Sequence, residues 1–444
     1  MKRFIFLAAA LAALALSCTK AESGYTVPDP QDVVMYQINP RVFAPKDSFK
    51  AVAQHLDSVK ALGANVVWFM PVCEIGRDAK AKSSPYCVKD YRGVNPEFGT
   101  IEDFKNTIAE CHRRGMSVIM DWVANHSSWD NAWLAEHPEW YTYNEDGEII
   151  HPAGTDWEDV ADFNFDNPEM CQAMIDAMKW WVTEIGIDGF RCDAADFVPF
   201  EFWKDCVSQL RAIPGHKLLL LAEGQRKDHF DAGFEMNYAW SYMEELRRVY
   251  NGNRRSMGAP ARVSDLFAAD AEEYDGVPAG CVKLRFTTNH DESTKMSPIR
   301  EFHGERGSMA AFVAATFIHG GMLVYDSQEV GYPGTINFFR FVPVDWQANP
   351  AQNKEYTDLI ALFKAHPAIR RGAVTPFPDD DVLIFERSCE GDRILVVDNL
   401  RQERKVVPVP AAWAGKSVKN LMSGKTVALG EKIAVDPYQY LILQ

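Results

Sequence analysis

The 444-residue sequence has no CxxC pair among its nine cysteines, so it lacks the ligand spacing of a thiolate zinc site. It is also short of positive charge: 46 Lys and Arg stand against 62 Asp and Glu, a formal net charge of −16. Nucleic-acid binding draws its affinity from cations that neutralise phosphates, so this balance argues against such a partner. Neither a GxxxxGK[ST] phosphate loop nor an HExxH helix occurs. The apolar run at 4–16 is too short to cross a bilayer.

That run sits between Lys2-Arg3 and Ser17-Cys18, the order of charged, apolar and cleavage regions in an export signal. The segment resembles a bacterial lipoprotein signal, in which the cysteine becomes the lipidated first residue, with Ala15 where Leu is usual. The expectation is loss of 1–17, lipidation at Cys18, and a linker over 18–31. The protein would then be exported and held at a membrane by its lipid, in the periplasm or at the cell surface. Cys73, Cys87, Cys111, Cys171, Cys192, Cys206, Cys281 and Cys389 are scattered, and read as buried small apolar groups with few or no disulfides.

From residue 32 to about 371, short apolar runs alternate with stretches of helical period, the pattern of repeated βα units around a parallel sheet. Strands are predicted at 33–38, 65–70, 117–121, 187–193, 217–223, 234–238, 282–290 and 322–325. The sixth carries little β preference in Glu235-Met236-Asn237. Eight parallel strands imply a closed α/β barrel of the (β/α)8 TIM type, divided into parts at 32–126 and 167–371. Helix signals are clear in the first units: Phe49, Val52, Leu56, Val59 and Leu62 recur at helical spacing, and Thr100 with Asp103 forms a capping signal before Phe104, Ile108 and Cys111. The stretch 127–166 is too long for a βα loop and is predicted to be a small inserted domain. From 372 to 444 the helical period disappears and short apolar runs suggest an antiparallel β-sandwich.

Catalytic groups in such a barrel sit where strands end at the C-terminal face. The third run ends Asp121-Trp122-Val123-Ala124-Asn125-His126, the fourth Arg191-Cys192-Asp193, the fifth Glu223, and the seventh Asn289-His290-Asp291. One carboxylate after an apolar run is more often a cap or turn former; four successive strand ends carrying carboxylate, His or Arg are a constellation. Period-two alternation sets Arg191 and Asp193 on one inward face, with Cys192 toward the helices. Glycoside cleavage requires one carboxylate to attack the anomeric carbon and one carboxylic acid to protonate the leaving oxygen. Asp193 and Glu223, ending adjacent strands, suit those roles and allow the separation of about 5 to 5.5 Å of a retaining enzyme.

In this order the four segments resemble the signature regions of the α-amylase superfamily, glycoside hydrolase family 13. Tyr36-Gln37-Ile38, Asn95-Pro96-Glu97-Phe98-Gly99-Thr100 and Gln328-Glu329 extend the match over essentially the whole mature chain. The resemblance implies an inserted domain after the third strand, a C-terminal β-domain, and an α-glucan such as starch or maltodextrin as partner. It also implies Asp193 as nucleophile, Glu223 as acid/base and Asp291 as transition-state stabiliser. Tyr86, Asp121, His126, Arg191 and His290 match substrate-binding positions.

Two departures stand out. Ala194-Ala195-Asp196-Phe197 follows the nucleophile position where many relatives have Lys-His, and Cys87 replaces the aspartate common after the stacking tyrosine. Asn125 and Asp162 match positions of calcium ligands in the family, yet Phe197 cannot ligate a hard cation. A structural calcium ion and a hydrogen-bonded loop are both open readings there, and no cofactor is required for the chemistry. Three functions remain open: hydrolysis, glycosyl transfer on the same site, and non-catalytic glycan binding on the same fold.

Overall fold

Each of the eight predicted runs forms a short strand buried from end to end, and side chains buried on both faces fit only a sheet wrapped by helices. The computed structural model describes residues 25–78, 84–252 and 261–444; the signal 1–17 and Cys18 lie outside them. The strands are Val34–Ile38, Val66–Phe69, Ser117–Trp122, Gly189–Cys192, Leu219–Ala222, Met236–Tyr238, Val282–Arg285 and Gly321–Tyr325. They pair in parallel in chain order, and the eighth closes on the first with Val34 opposite Met322. The weakly β-prone sixth strand forms because both neighbours template it: Met236 lies opposite Leu221 on one side and Val282 on the other.

Several strand predictions are corrected: the fifth begins at Leu219 instead of 217 and the sixth at Met236 instead of 234. The seventh ends at Arg285 instead of 290, and the chain beyond it is irregular until the side chain of Asn289 accepts the N–H groups of Asp291 and Glu292. The fourth begins at Gly189, where φ is +151° and a Cβ would lie 1.9 Å from the Leu219 carbonyl oxygen.

The helices follow their sequence signals. Ser48–Leu62 buries Phe49, Val52, Leu56, Val59 and Leu62, and Ile101–Arg113 opens on a complete capping box between Thr100 and Asp103. Pro168–Trp180 is capped by Asn167 and lays Met170, Met174 and Met178 into the core. All eight described cysteines are free thiols.

Two excursions leave the barrel at its C-terminal mouth. After the second strand, Cys73–Ile75 pairs antiparallel with Val88–Val94, a hairpin that the sequence pattern does not reveal. After the third, His126–Ser128 pairs with Val160–Asp162 around the short helix Ala132–Glu136, forming the inserted lobe.

At the C-terminus, Ala373–Pro376, Val382–Cys389, Asp392–Asn399 and Tyr440–Leu443 make one antiparallel sheet. Its alternation serves two cores. Leu383, Phe385, Ile394, Val396 and Ile442 join the core of the barrel, whereas Val382, Ile384, Leu395, Val397 and Leu443 meet Val407, Trp413 and Val435. The second layer of the expected sandwich consists of two two-stranded ribbons, Lys405–Pro408 with Lys432–Val435 and Ser417–Lys419 with Thr426–Ala428.

Candidate active site

Alternation along the fourth strand turns Arg191 into the barrel, where its guanidinium is fully buried between the rings of Trp68, 5.3 Å away, and Tyr238, 5.7 Å away. Arg191 Nη1 donates to Asp121 Oδ1 at 2.6 Å and to Asp193 Oδ1 at 2.7 Å, while Nε donates to the Tyr238 hydroxyl at 3.1 Å. Its Nη2 lies 2.9 Å from Glu223 Oε1 but off the hydrogen-bonding direction. One cation therefore holds three carboxylates, an arrangement tolerable in a buried setting only while every charge keeps its partner.

The chain beyond the fourth strand fixes the second carboxylate. Ala194 takes a left-handed conformation at φ +44°, and its N–H donates to Glu223 Oε2 at 2.7 Å. A non-glycine residue held there carries backbone strain, and the result is an aimed Glu223. Asp196, two residues on, accepts the N–H groups of Gln225 and Arg226 and so ties down the loop that follows Glu223.

A second chain of hydrogen bonds crosses the floor. Gln37 Nε2 is 2.7 Å from His290 Nδ1, His290 Nε2 is 2.5 Å from the Tyr86 hydroxyl, and that hydroxyl is 3.3 Å from Asp121 Oδ2. The Tyr86 and His290 rings are stacked with centroids 5.7 Å apart.

Burial sets the protonation of this cluster. It pushes Glu223 up to about 8, against the pull of Arg191 and with the help of the negative charges of Asp193 and Asp291. Asp121 is raised to about 7, again by burial first and against Arg191. Burial raises Asp291, and it lowers His126 and, further still, His290, which are thereby kept neutral at pH 7.

Above this floor opens a cavity of about 340 Å³ lined by Tyr86, His126, Trp157, Asp159, Asp193, Glu223, Asp291, Phe338 and Phe339, among others. The sequence reading is thus divided in space. Asp193, Glu223, Asp291, Tyr86 and His126 form the wall, whereas Asp121, Arg191 and His290 lie buried behind it and act on its members. Trp157, Asp159, Phe338 and Phe339 were not legible, because they sit in loops without periodicity; the three aromatics and the carboxylate become significant only when folded against the strand ends.

Asn125 and Asp162 become neighbours: the Asn125 carbonyl accepts the N–H of Phe163, and Asp162 pairs with His126 across the lobe ladder. The Asn125 amide is directed to His126 Nδ1 at 3.3 Å, and no group of three His, Cys, Asp or Glu suited to a metal occurs among the described residues. A calcium ion takes six to eight oxygens, which this pair does not supply.

A closed parallel barrel with several carboxylates gathered at its C-terminal mouth defines the (β/α)8 class whose sites are built from strand ends. More particularly, the chain belongs to the α-amylase family: residues 37–148 and 140–372 match the alpha amylase catalytic domain, and 374–442 match the maltogenic amylase C-terminal domain. The α-amylase MalA of Haloarcula japonica is 28% identical over 416 residues, covering 89% of this chain and 59% of that protein, so the chain spans about three fifths of that relative's length. α-Amylase 3 of Dictyoglomus thermophilum is 22% identical, with 95% of each chain covered. Among solved structures, an α-amylase from Lactobacillus plantarum superposes with a TM-score of 0.82 at 25% identity, covering 93% of this chain and 98% of that one. The maltogenic α-amylase AmyB from Thermotoga neapolitana shares the fold at a TM-score of 0.83 and 24% identity, covering 94% and 99%.

Proposed function

We propose that this protein is a retaining glycoside hydrolase that cleaves α-glucosidic bonds in starch, maltodextrins or related α-glucans. The observation that carries the reading is the convergence of Asp193, Glu223 and Asp291 on one cavity, with a single guanidinium touching the first two. That shared contact favours the closer of the two carboxylate spacings found in glycosidases, the one that goes with a covalent intermediate.

In the first step an Asp193 oxygen attacks the anomeric carbon as the bond to the leaving oxygen breaks, and Glu223 gives that oxygen its proton. Glu223 is suited to begin protonated, since burial and neighbouring carboxylates favour its neutral form. In the second step the Glu223 carboxylate takes a proton from water, the water oxygen bonds to the anomeric carbon, and Asp193 leaves. Two inversions give net retention. Asp291 opposes the positive charge that develops on the sugar ring, and Tyr86 offers its face to the apolar side of a glucose.

Transfer to a second sugar is the other reading that an observation favours. Phe338 and Phe339 are stacked with centroids 4.6 Å apart, and Phe339 is 39% exposed, which leaves an aromatic surface at the cavity for an incoming acceptor. Digestion of maltoheptaose separates the two readings: short sugars alone mark hydrolysis, and chains longer than seven units mark transfer. Hydrolysis abolished by Asp193→Asn supports the catalytic reading; unchanged hydrolysis in that variant refutes it.

Export and lipid anchoring at Cys18 complete the proposal, supported by the order of charge, apolar run and cysteine at 2–18. Cys18→Ser should move the protein from the membrane fraction to the soluble fraction, and an unchanged distribution would refute the anchor.

A further inference from the structure

Cys87 is fully buried beside the cavity and its backbone is held on both sides, the N–H by the Ser84 carbonyl at 3.2 Å and the carbonyl by the Gly76 N–H at 2.8 Å. Its thiol therefore has a fixed direction. That direction is Asp159 in the inserted lobe: Sγ lies 3.2 Å from Oδ2 and 3.5 Å from the backbone carbonyl of the same residue. Burial and the Asp159 charge both raise the thiol's pKa, so it stays protonated and serves as the donor. Cys87, Val160 and Trp157 also form a small apolar cluster of their own, which seats the lobe against the Tyr86 loop.

Asp159 in turn lines the catalytic cavity with Tyr86, His126 and Trp157. Among the described residues no hydrogen bond reaches its Oδ1. An anchored carboxylate with spare acceptor capacity, in a cavity that Tyr86 and Trp157 also line, is what a sugar needs: faces for its C–H side and an acceptor for its hydroxyls. We infer that Asp159 is a substrate-binding residue, supplied by the inserted lobe, which accepts a hydroxyl of the bound glucan, and that Cys87 is the positioning residue that aims it. The inference rests on the α-glucan reading above. It also assigns a task to the lobe, which is to complete from outside the barrel a sugar site whose bond-breaking groups all come from inside it.

The test is calorimetric titration of maltotetraose into the full-length Glu223→Gln variant, chosen so that binding can be read without turnover, with and without Asp159→Ala. Loss of a charge-assisted hydrogen bond predicts affinity about 10- to 100-fold weaker. Cys87→Ala should give a smaller loss, Cys87→Ser should restore most of it by keeping a donor, and Cys87→Ala should add little once Asp159 is gone. In the otherwise native enzyme, Asp159→Ala should raise KM and leave kcat nearly unchanged, and Asp159→Asn, which keeps size and fold, should fall between. Affinity within twofold of the parent in Asp159→Ala overturns this inference alone. A loss that appears only with a matching loss of folded protein, read by thermal unfolding, also overturns it. Absence of any maltotetraose affinity in the Glu223→Gln parent overturns the inference and the α-glucan reading together.

Discussion

Arg191 joins Asp193 to Glu223: one terminal nitrogen donates to Asp193 at 2.7 Å and the other lies 2.9 Å from Glu223, with neither end of the guanidinium exposed to solvent. The two carboxylates proposed as nucleophile and acid therefore share one counter-charge, while burial keeps Glu223 partly neutral. The same cation is shared with Asp121, which receives the shortest of the three contacts, at 2.6 Å.

Removing that cation should harm the fold as well as the chemistry. Arg191→Met leaves three buried carboxylates without their common partner, and breaking a buried pair from one side costs about 3 to 5 kcal/mol. Arg191→Lys keeps the charge but not the fork, and should recover part of the stability and little of the activity. Urea unfolding together with kcat/KM reads both effects.

The pH profile follows from Glu223. Its pKa in the folded protein is raised to about 8, and the acid step needs the proton, so kcat/KM is retained below that value and lost as pH rises through it. Asp291 contributes to the upward shift. Asp291→Asn should therefore move the alkaline limb of the residual activity to lower pH. An alkaline limb that stays in place would show that another group controls it.

Tyr86 has two separable tasks. Tyr86→Phe keeps the ring and removes the hydroxyl shared with His290 and Asp121, which should lower kcat/KM by up to about tenfold. Tyr86→Ala removes the stacking face as well and should cost distinctly more, chiefly in KM. Initial rates on maltotriose distinguish the two.

The barrel was legible because its strands obey a simple rule: buried on both faces, they read as unbroken apolar runs that stop at polar residues. Asp193 and Glu223 were singled out for that reason, whereas Asp291, which lies beyond the end of its strand at Arg285, took its role from the resemblance. Tyr86 and His126 needed the resemblance, since a single Tyr or His carries no period. Asp159 and Phe338 were hidden altogether, because loop residues are placed by tertiary contacts such as the Cys87 thiol and the Tyr86 ring, which leave no spacing in the chain. The seventh strand was overrun for the opposite reason. Phe286-Thr287-Thr288 has strand-like composition, yet the ladder between the seventh and eighth strands stops at the pair of Arg285 with Met322, beyond which the eighth strand pairs only with the first.

The C-terminal sheet should act as part of the barrel's core. Phe385 is fully buried in it, and Phe385→Ala should cost about 3 to 5 kcal/mol by leaving a cavity. Phe385 is not among the residues that line the cavity at the barrel mouth, so KM should not move in the protein that remains folded. Denaturant midpoints and kinetics at a temperature well below unfolding check the two halves.

The most direct test is the configuration of the first-formed product. Proton NMR of an early maltotriose digest should show the α-anomer appearing before mutarotation, as two displacements at the anomeric carbon require. A β-anomer in the first spectra would mean that water attacks directly, and Asp193 would lose its assigned role.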